Sequence, residues 1–203
     1  MSAFGWLPDL PDYRDHAYKL PKFAVLPERV DLRGSCPPVL DQGQLGSCTA
    51  NAIASAHQYQ QIKQTFFPQF MPSRLFIYYN ERIILGTVSY DSGACIRDGI
   101  KSIASQGVPT ENSWPYEIAR FRRKPSTQCY SRAMTHQALE YMRISYNLEE
   151  MKACLADGHP FIFGFGLRKL YGARCRYYQT SQYAIAKRPG ARRTCRACCR
   201  IRR

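Results

Sequence analysis

The sequence predicts an α+β fold in which helices come first and β structure follows. Apolar residues recur at helical spacing in three segments between residues 48 and 106. A fourth helical segment, 148–157, runs straight into Pro160-Phe-Ile-Phe-Gly-Phe, which reads as a buried strand. Size agrees: 203 residues, 45% of them hydrophobic, suit one domain or two small ones and can bury a core without disulfides or metal.

Residues 1–30 carry prolines at 8, 11, 21 and 27 and read as an extended strap. The first helix is expected from Ser47 or Cys48 to about Gln61, and its Ala50, Ile53, Ala54 and Ala56 suit burial on most sides. The second spans 73–85 with Leu75, Phe76, Tyr79 and Ile83 as its stripe. The third spans 95–106 with Ile96, Ile100 and Ile103 on one face, and Gly107 is placed to end it. In the fourth, Asn147 and Glu150 form a capping signal, Leu148, Met151 and Leu155 the stripe, and Gly158 the stop. There is no internal repeat. No apolar stretch approaches the roughly 18 residues that span a bilayer. The opening MSAFGWLPDL has neither a basic nor an apolar leader region, which predicts no conventional secretory signal and a cytoplasmic or non-classically secreted chain.

The net charge of +14 is unevenly spread. Residues 168–203 hold 12 of the 29 Lys and Arg and none of the 15 Asp and Glu, so residues 1–167 are close to neutral. Cys175, Cys195, Cys198 and Cys199 also fall in this last stretch. Cys36, Cys48, Cys95, Cys129 and Cys154 lie before it and suit either redox compartment.

The stretch DQGQLGSCTANAIA, residues 41–54, carries the chemistry. A cysteine at a helix N-terminus meets unpaired N–H groups and the positive end of the helix dipole, which predicts a lowered thiol pKa. Gly43 and Gly46 allow a tight loop into that helix. Gln42, six residues before Cys48, offers an amide donor that with the Cys48 N–H can form an oxyanion hole.

Gln-x-x-x-Gly-Ser-Cys at a helix start resembles the active-site segment of papain-like cysteine peptidases, and VDLR…CPPVLDQGQLGSCTANA is similar to a microbial branch of that family. DSGACIRDGI resembles the family's glycine-containing segment beside the substrate cleft, GVPTENSWPYE its G-x-x-x-E-x-x-[WY]-P-Y stretch, and NLEEMKACLADGHPFIFGF its helix leading through Gly-x-Pro into a strand. The resemblance covers about residues 27–167. It implies a two-lobed fold with a helical lobe, a β-barrel lobe and a cleft between them. It further implies a cofactor-free peptidase in which Cys48 is the nucleophile, Gln42 the oxyanion donor, and Gly93, Gly46 and Ser47 substrate-binding. The chain departs from the pattern at Thr49, where many relatives have Trp, and at Leu45, where many have a disulfide cysteine. Cys36 and Cys95 are one possible alternative bridge.

A thiol peptidase also needs a histidine base and a group to orient it. The family's histidine lies after the strand that matches 160–166, and its Asn-Ser-Trp-Gly segment later still. This sequence has no histidine after His159 and no asparagine after Asn147. His57, nine residues past Cys48, points to the far side of the helix. His136 suits a surface loop, His16 lies in the strap, and His159 precedes the strand rather than matching the base.

After Leu167 the helical and strand patterning fades. Residues 168–203 then read as out-of-frame translation, as a polyanion-binding tail, or as part of a metal site at Cys195, Cys198 and Cys199. The expectation is therefore a strap over 1–26, acting as a short inhibitory segment or a plain arm, a peptidase domain over 27–167, and a basic Cys-rich tail over 168–203. The helical lobe is expected to be present and the β-barrel lobe incomplete, with Phe161, Ile162, Phe163 and Phe165 short of partners. The functional expectation is a peptide-bond hydrolase by descent, with a peptide or protein as substrate, inactive in this chain for want of His and Asn. The alternative is a non-catalytic peptide- or nucleic-acid-binding protein, any nucleic acid held non-specifically through the tail.

Overall fold

The first long helix, α1 (Cys48–Lys63), is small-residue-rich, so its neighbours approach closely and Ala50, Ile53 and Ala54 are fully buried. The computed structural model describes residues 5–19, 26–65, 68–138, 140–168 and 176–185. Helix α2 (Arg74–Leu85) starts where the Ser73 hydroxyl accepts the Phe76 N–H at 3.2 Å, and it ends at Gly86 with φ 69°. Helix α3 (Ile96–Gln106) buries Ile96, Ile100 and Ile103 and stops at Gly107, φ 71°. These three helices enclose the main core with Leu75, Phe76, Ile77, Tyr78 and Val108.

One position on α2 departs from the expected stripe. Ile83 is 44% exposed, whereas Arg82 beside it is completely buried. The Arg82 guanidinium donates to the carbonyls of Tyr78, Val88, Tyr90 and Phe121, and it lies over the rings of Tyr78 and Phe121. A cation with this many carbonyl acceptors can be buried, and here Arg82 rather than Ile83 takes the core-facing place near the end of α2.

The strap enters as β1 (Trp6–Leu7), which pairs in parallel with β2 (Ala94–Cys95), Trp6 opposite Ala94. Further along, Asp9 accepts the Arg97 N–H at 3.0 Å and so caps α3. Asp15 bridges Arg97 at 2.7 Å and Arg143 at 3.0 Å. A short helix, α4 (Thr127–Ala133), is capped by the Ser126 hydroxyl and had no stripe long enough to be foreseen.

The second half is a sheet in the order β3-β5-β4, all antiparallel: β3 (Tyr141–Arg143), β4 (Phe161–Arg168) and β5 (Arg176–Ile185). Helix α5 (Leu148–Ala156) precedes β4, with the Asn147 side chain accepting the Glu149 N–H and the Glu150 carboxylate accepting the Ser145 N–H. Among the described residues, its Met151, Cys154 and Leu155 pack with Tyr18, Ile144 and Phe161 in a second core.

Two expectations for this half are corrected. Regular structure continues past Leu167: β4 runs to Arg168 and β5 is the central strand of its sheet. Tyr177, Tyr178, Thr180, Tyr183 and Ile185 favour extended backbone, a signal that the basic composition obscured. Nor are the aromatic residues of β4 all short of partners. Phe161 joins the second core, Ile162 the main one, and Phe163 stacks at 6.0 Å from Phe161, leaving Phe165 as the exposed member. Cys175, Cys195, Cys198 and Cys199, and with them the metal reading, lie outside the described residues.

Candidate active site

The segment 41–48 is a tight loop delivering Cys48 to the first position of α1. Asp41 accepts the Gly43 N–H at 2.8 Å, Gly43 takes φ 60°, and the Gly46 N–H donates to the Asp91 carboxylate at 2.9 Å. Tyr78 donates its hydroxyl to the same carboxylate. The Gln42 side-chain amide donates to the Leu45 carbonyl at 2.9 Å, which fixes its direction inside the loop. Ser47 is fully buried, and its hydroxyl is engaged with Tyr116 and Asn51 rather than turned to the cleft.

The Cys48 thiol is half-buried and free. Contrary to expectation, its pKa lies above the ordinary thiol value. Burial is the main cause; a hydrogen bond from the Gly5 backbone and the N–H groups of Cys48 and Thr49 oppose it, while Glu81 adds to it. Helix-end stabilisation is present but smaller than desolvation. Glu81 is itself fully buried behind α1, accepts the Thr49 hydroxyl at 2.9 Å, and is held well above the usual carboxylate range by that burial.

The strap lies directly on this site. The Gly5 carbonyl accepts the Ala94 N–H at 2.7 Å, and the Gly5 backbone packs against Gly46. Gly93, with φ 72°, stands so close to the Gly5 carbonyl that a Cβ there would collide with it. The Trp6 indole then rests on Gly164 of β4, where any side chain would displace it. The strap therefore touches both the helical half and the sheet.

None of the described histidine contacts leads to Cys48. His57 is buried, bonds Gln61 and faces Phe70, whose ring also stacks on His136 at 4.2 Å. The His16 carbonyl accepts the Arg143 N–H, and His159 pairs with Asp157 at 3.3 Å. Cys36 is disulfide-bonded while Cys95 is a free thiol, so the bridge between them does not form. Cys95 instead points its sulfur at the Pro8 carbonyl, 3.9 Å away, and burial pushes its pKa up to about 12.

Sequence reasoning missed the residues that hold the loop: Arg74, Glu111, Tyr116, Asn51 and Asp91. Glu111 and Tyr116 are the Glu and last Tyr of the G-x-x-x-E-x-x-[WY]-P-Y stretch, Asp91 opens DSGACIRDGI and Asn51 lies in DQGQLGSCTANAIA, so only Arg74 fell outside these motifs.

No protein-family model matches the chain. It is 40% identical to xylellain, a cysteine protease from Xylella fastidiosa, whose crystal structure matches with a TM-score of 0.76 over 91% of this chain and 79% of that one. It is 42% identical over 163 residues to an uncharacterised peptidase C1-like protein of Acanthamoeba polyphaga mimivirus, covering 76% of this chain and 50% of that protein. The chain thus spans about half the length of that curated relative. A digestive procathepsin L 3 of Tenebrio molitor, 19% identical with a TM-score of 0.52 over 73% of this chain and 49% of that one, shares the fold. The loop-to-helix placement of Cys48, the glycine edge beside it and these matches have one reading: the chain belongs to the papain-like C1 family of cysteine peptidases.

Proposed function

We propose that the site is built for peptide-bond hydrolysis, with Cys48 as nucleophile and Gln42 as oxyanion donor. The Cys48 thiolate attacks the scissile carbonyl carbon, a C–S bond forms, and the carbonyl electron pair moves onto oxygen. The Gln42 amide and the Cys48 N–H are the donors that would meet this oxyanion. Collapse of the adduct expels the amine and leaves an acyl-enzyme for water to hydrolyse. The observation that carries the reading is the rigid loop that joins the two groups, closed at Gly46 by Asp91.

The departing amine needs a proton and the thiol needs a base. In this polypeptide no histidine follows His159 and no asparagine follows Asn147, and none of the described histidine contacts leads to Cys48. These 203 residues thus hold the attacking and stabilising groups, none of the described contacts supplies a proton shuttle, and we read them as inactive on their own. The strap is a built-in occupant of the cleft: Gly5 covers the thiol, Gly93 and Ala94 supply its edge, and Trp6 fills the space over Gly164.

Hydrolysis of a fluorogenic peptide, followed together with iodoacetamide labelling mapped by mass spectrometry, tests this. Expected are alkylation at Cys48, fastest at alkaline pH, and no hydrolysis above a Cys48→Ala control. Hydrolysis that vanishes in Cys48→Ala would overturn the inactivity and require another base.

A further inference from the structure

We propose that Tyr116 is a positioning residue for the oxyanion-binding loop, the last link of a hydrogen-bond chain of fixed direction that starts at Arg74. The proposal rests on the reading of Gln42 and Cys48 given above and extends it to what holds them in register.

The direction follows from donor and acceptor chemistry. The Tyr116 hydroxyl lies 2.9 Å from the Gln42 backbone oxygen and 2.5 Å from the Ser47 hydroxyl. A carbonyl only accepts, so the single phenolic proton goes to Gln42 and Ser47 must donate to Tyr116. The Ser47 oxygen in turn accepts from the Asn51 amide at 3.1 Å, and the same amide donates to the Ser47 carbonyl at 2.9 Å. The Asn51 oxygen accepts from the Arg74 guanidinium at 3.2 Å, which settles which end of the amide is which. Protons therefore point one way, from Arg74 through Asn51, Ser47 and Tyr116 to Gln42.

The head of the chain is itself fixed. Arg74 pairs with Glu111 at 2.8 Å, donates to the Asp41 carbonyl at 3.1 Å, and lies 4.0 Å over the centre of the Tyr116 ring. Tyr116 is thus clamped from its face by a cation and from its hydroxyl by both ends of the loop. Ser47 and Asn51 are buried, so water is a poor substitute for a missing link. The consequence is positional. One phenol oxygen sets the distance between the segment that carries the Gln42 amide and the residue that precedes Cys48. Without it, Cys48 still stands at the head of α1, but the segment that carries the Gln42 amide is no longer tied to the residue before Cys48.

Two reagents separate these roles on the full chain. Iodoacetamide attacks the thiol by displacement and develops no oxyanion. The small peptide aldehyde N-acetylglycinal adds to the thiol: a C–S bond forms, the C=O π bond breaks, the thiol proton passes to the former carbonyl oxygen, and on the reading above that oxygen is the one the Gln42 amide and the Cys48 N–H would meet. Its dissociation constant is read from the slowing of iodoacetamide labelling at Cys48, and both reagents meet the same strap. In Tyr116→Phe, the aldehyde constant is expected to weaken about tenfold, a small part of what an oxyanion donor contributes, and at least fivefold more than the alkylation rate changes. Ser47→Ala is expected to shift the same ratio in the same direction, and it carries the test if the tyrosine variant does not fold. Equal changes in both readouts, or an unchanged aldehyde constant, would overturn the positioning role. A wild-type chain that alkylates at Cys48 but never takes up the aldehyde would instead sink the oxyanion reading of Gln42, and this proposal with it.

Discussion

The helical half and the sheet half of the chain keep their apolar groups from water in different ways. Around α1, α2 and α3 a contiguous core has Ile53, Leu75, Phe76, Ile77, Tyr78, Ile100 and Ile103 completely buried. Around the sheet, among the described residues, Tyr18, Ile144, Met151, Cys154, Leu155 and Phe161 cluster, and Tyr18 comes from the strap. The strap is also joined to β3 by backbone hydrogen bonds of 2.7 and 2.8 Å at Arg143, and Asp15 ties it to both halves. Helices satisfy their own backbone and need only a face to bury. A sheet must find both edge partners and cover, and here the strap supplies part of each.

The largest effect expected in breaking this comparison is Arg82→Ala. It removes the donor to four carbonyls from the centre of the helical half, so buried acceptors lose their partner and a large cavity opens. A loss of about 4 kcal/mol in urea unfolding is expected, at the upper end for a single substitution. If the two halves unfold separately, only the transition of the helical half should move. One sharp transition spanning both halves in calorimetry would show that the sheet is no weaker than the helices.

His57 gives the next effect and confines it to the helical half. It is buried against Phe70, with His136 and Gln61 the polar groups facing it, and burial lowers its pKa to about 4 from an ordinary 6.5. A depressed histidine favours the neutral form in the fold. Above pH 6.5 both folded and unfolded forms are neutral and nothing changes. As pH falls from 6.5 towards 4 the unfolded chain takes up the proton first, and stability is lost. At pH 5 the loss is about 2 kcal/mol relative to pH 7. Urea midpoints at the two pH values, for the wild-type chain and His57→Gln, check this. An equal pH dependence in the two would assign it to other groups.

Much of this contrast was legible in the sequence. The stripes of Ile96, Ile100 and Ile103 and of Met151 and Leu155 located α3 and α5, because apolar spacing and helix stops are local signals. Gly46 was read as a loop glycine and Gly93 through the family resemblance; the physical need for glycine, the close approach of Gly5 to both and φ 72° at Gly93, is visible only in the structure. What was hidden is non-local. Nothing in the spacing of Arg82 says that four carbonyls converge on it, so Ile83 was the natural core choice. The thiol pKa was misjudged because helix-end charge is read from position, whereas burial under Gly5 and the nearness of Glu81 depend on residues 43 and 33 positions away. Strand β5 was missed because a basic composition outweighed its tyrosines and threonine.

The smallest effect belongs to Phe165, the exposed large apolar residue of β4 among the described side chains. It lies at the irregularity between Gly164 and Phe165 where β4 shifts register against β5, is 41% exposed, and stacks on Phe163 at 5.8 Å. Full burial of such a side chain contributes roughly 1.5–3 kcal/mol, so its partial exposure leaves about 1 kcal/mol. Phe165→Ser should therefore lower stability by about that amount while making the chain more soluble, because an exposed aromatic on a strand invites self-association. Urea unfolding and light scattering during heating read the two effects separately. A loss of 3 kcal/mol or more would mean that Phe165 is packed as tightly as Phe76 or Ile100. The two halves would then be equally well covered, and the strap would be an addition to the sheet rather than part of what completes it.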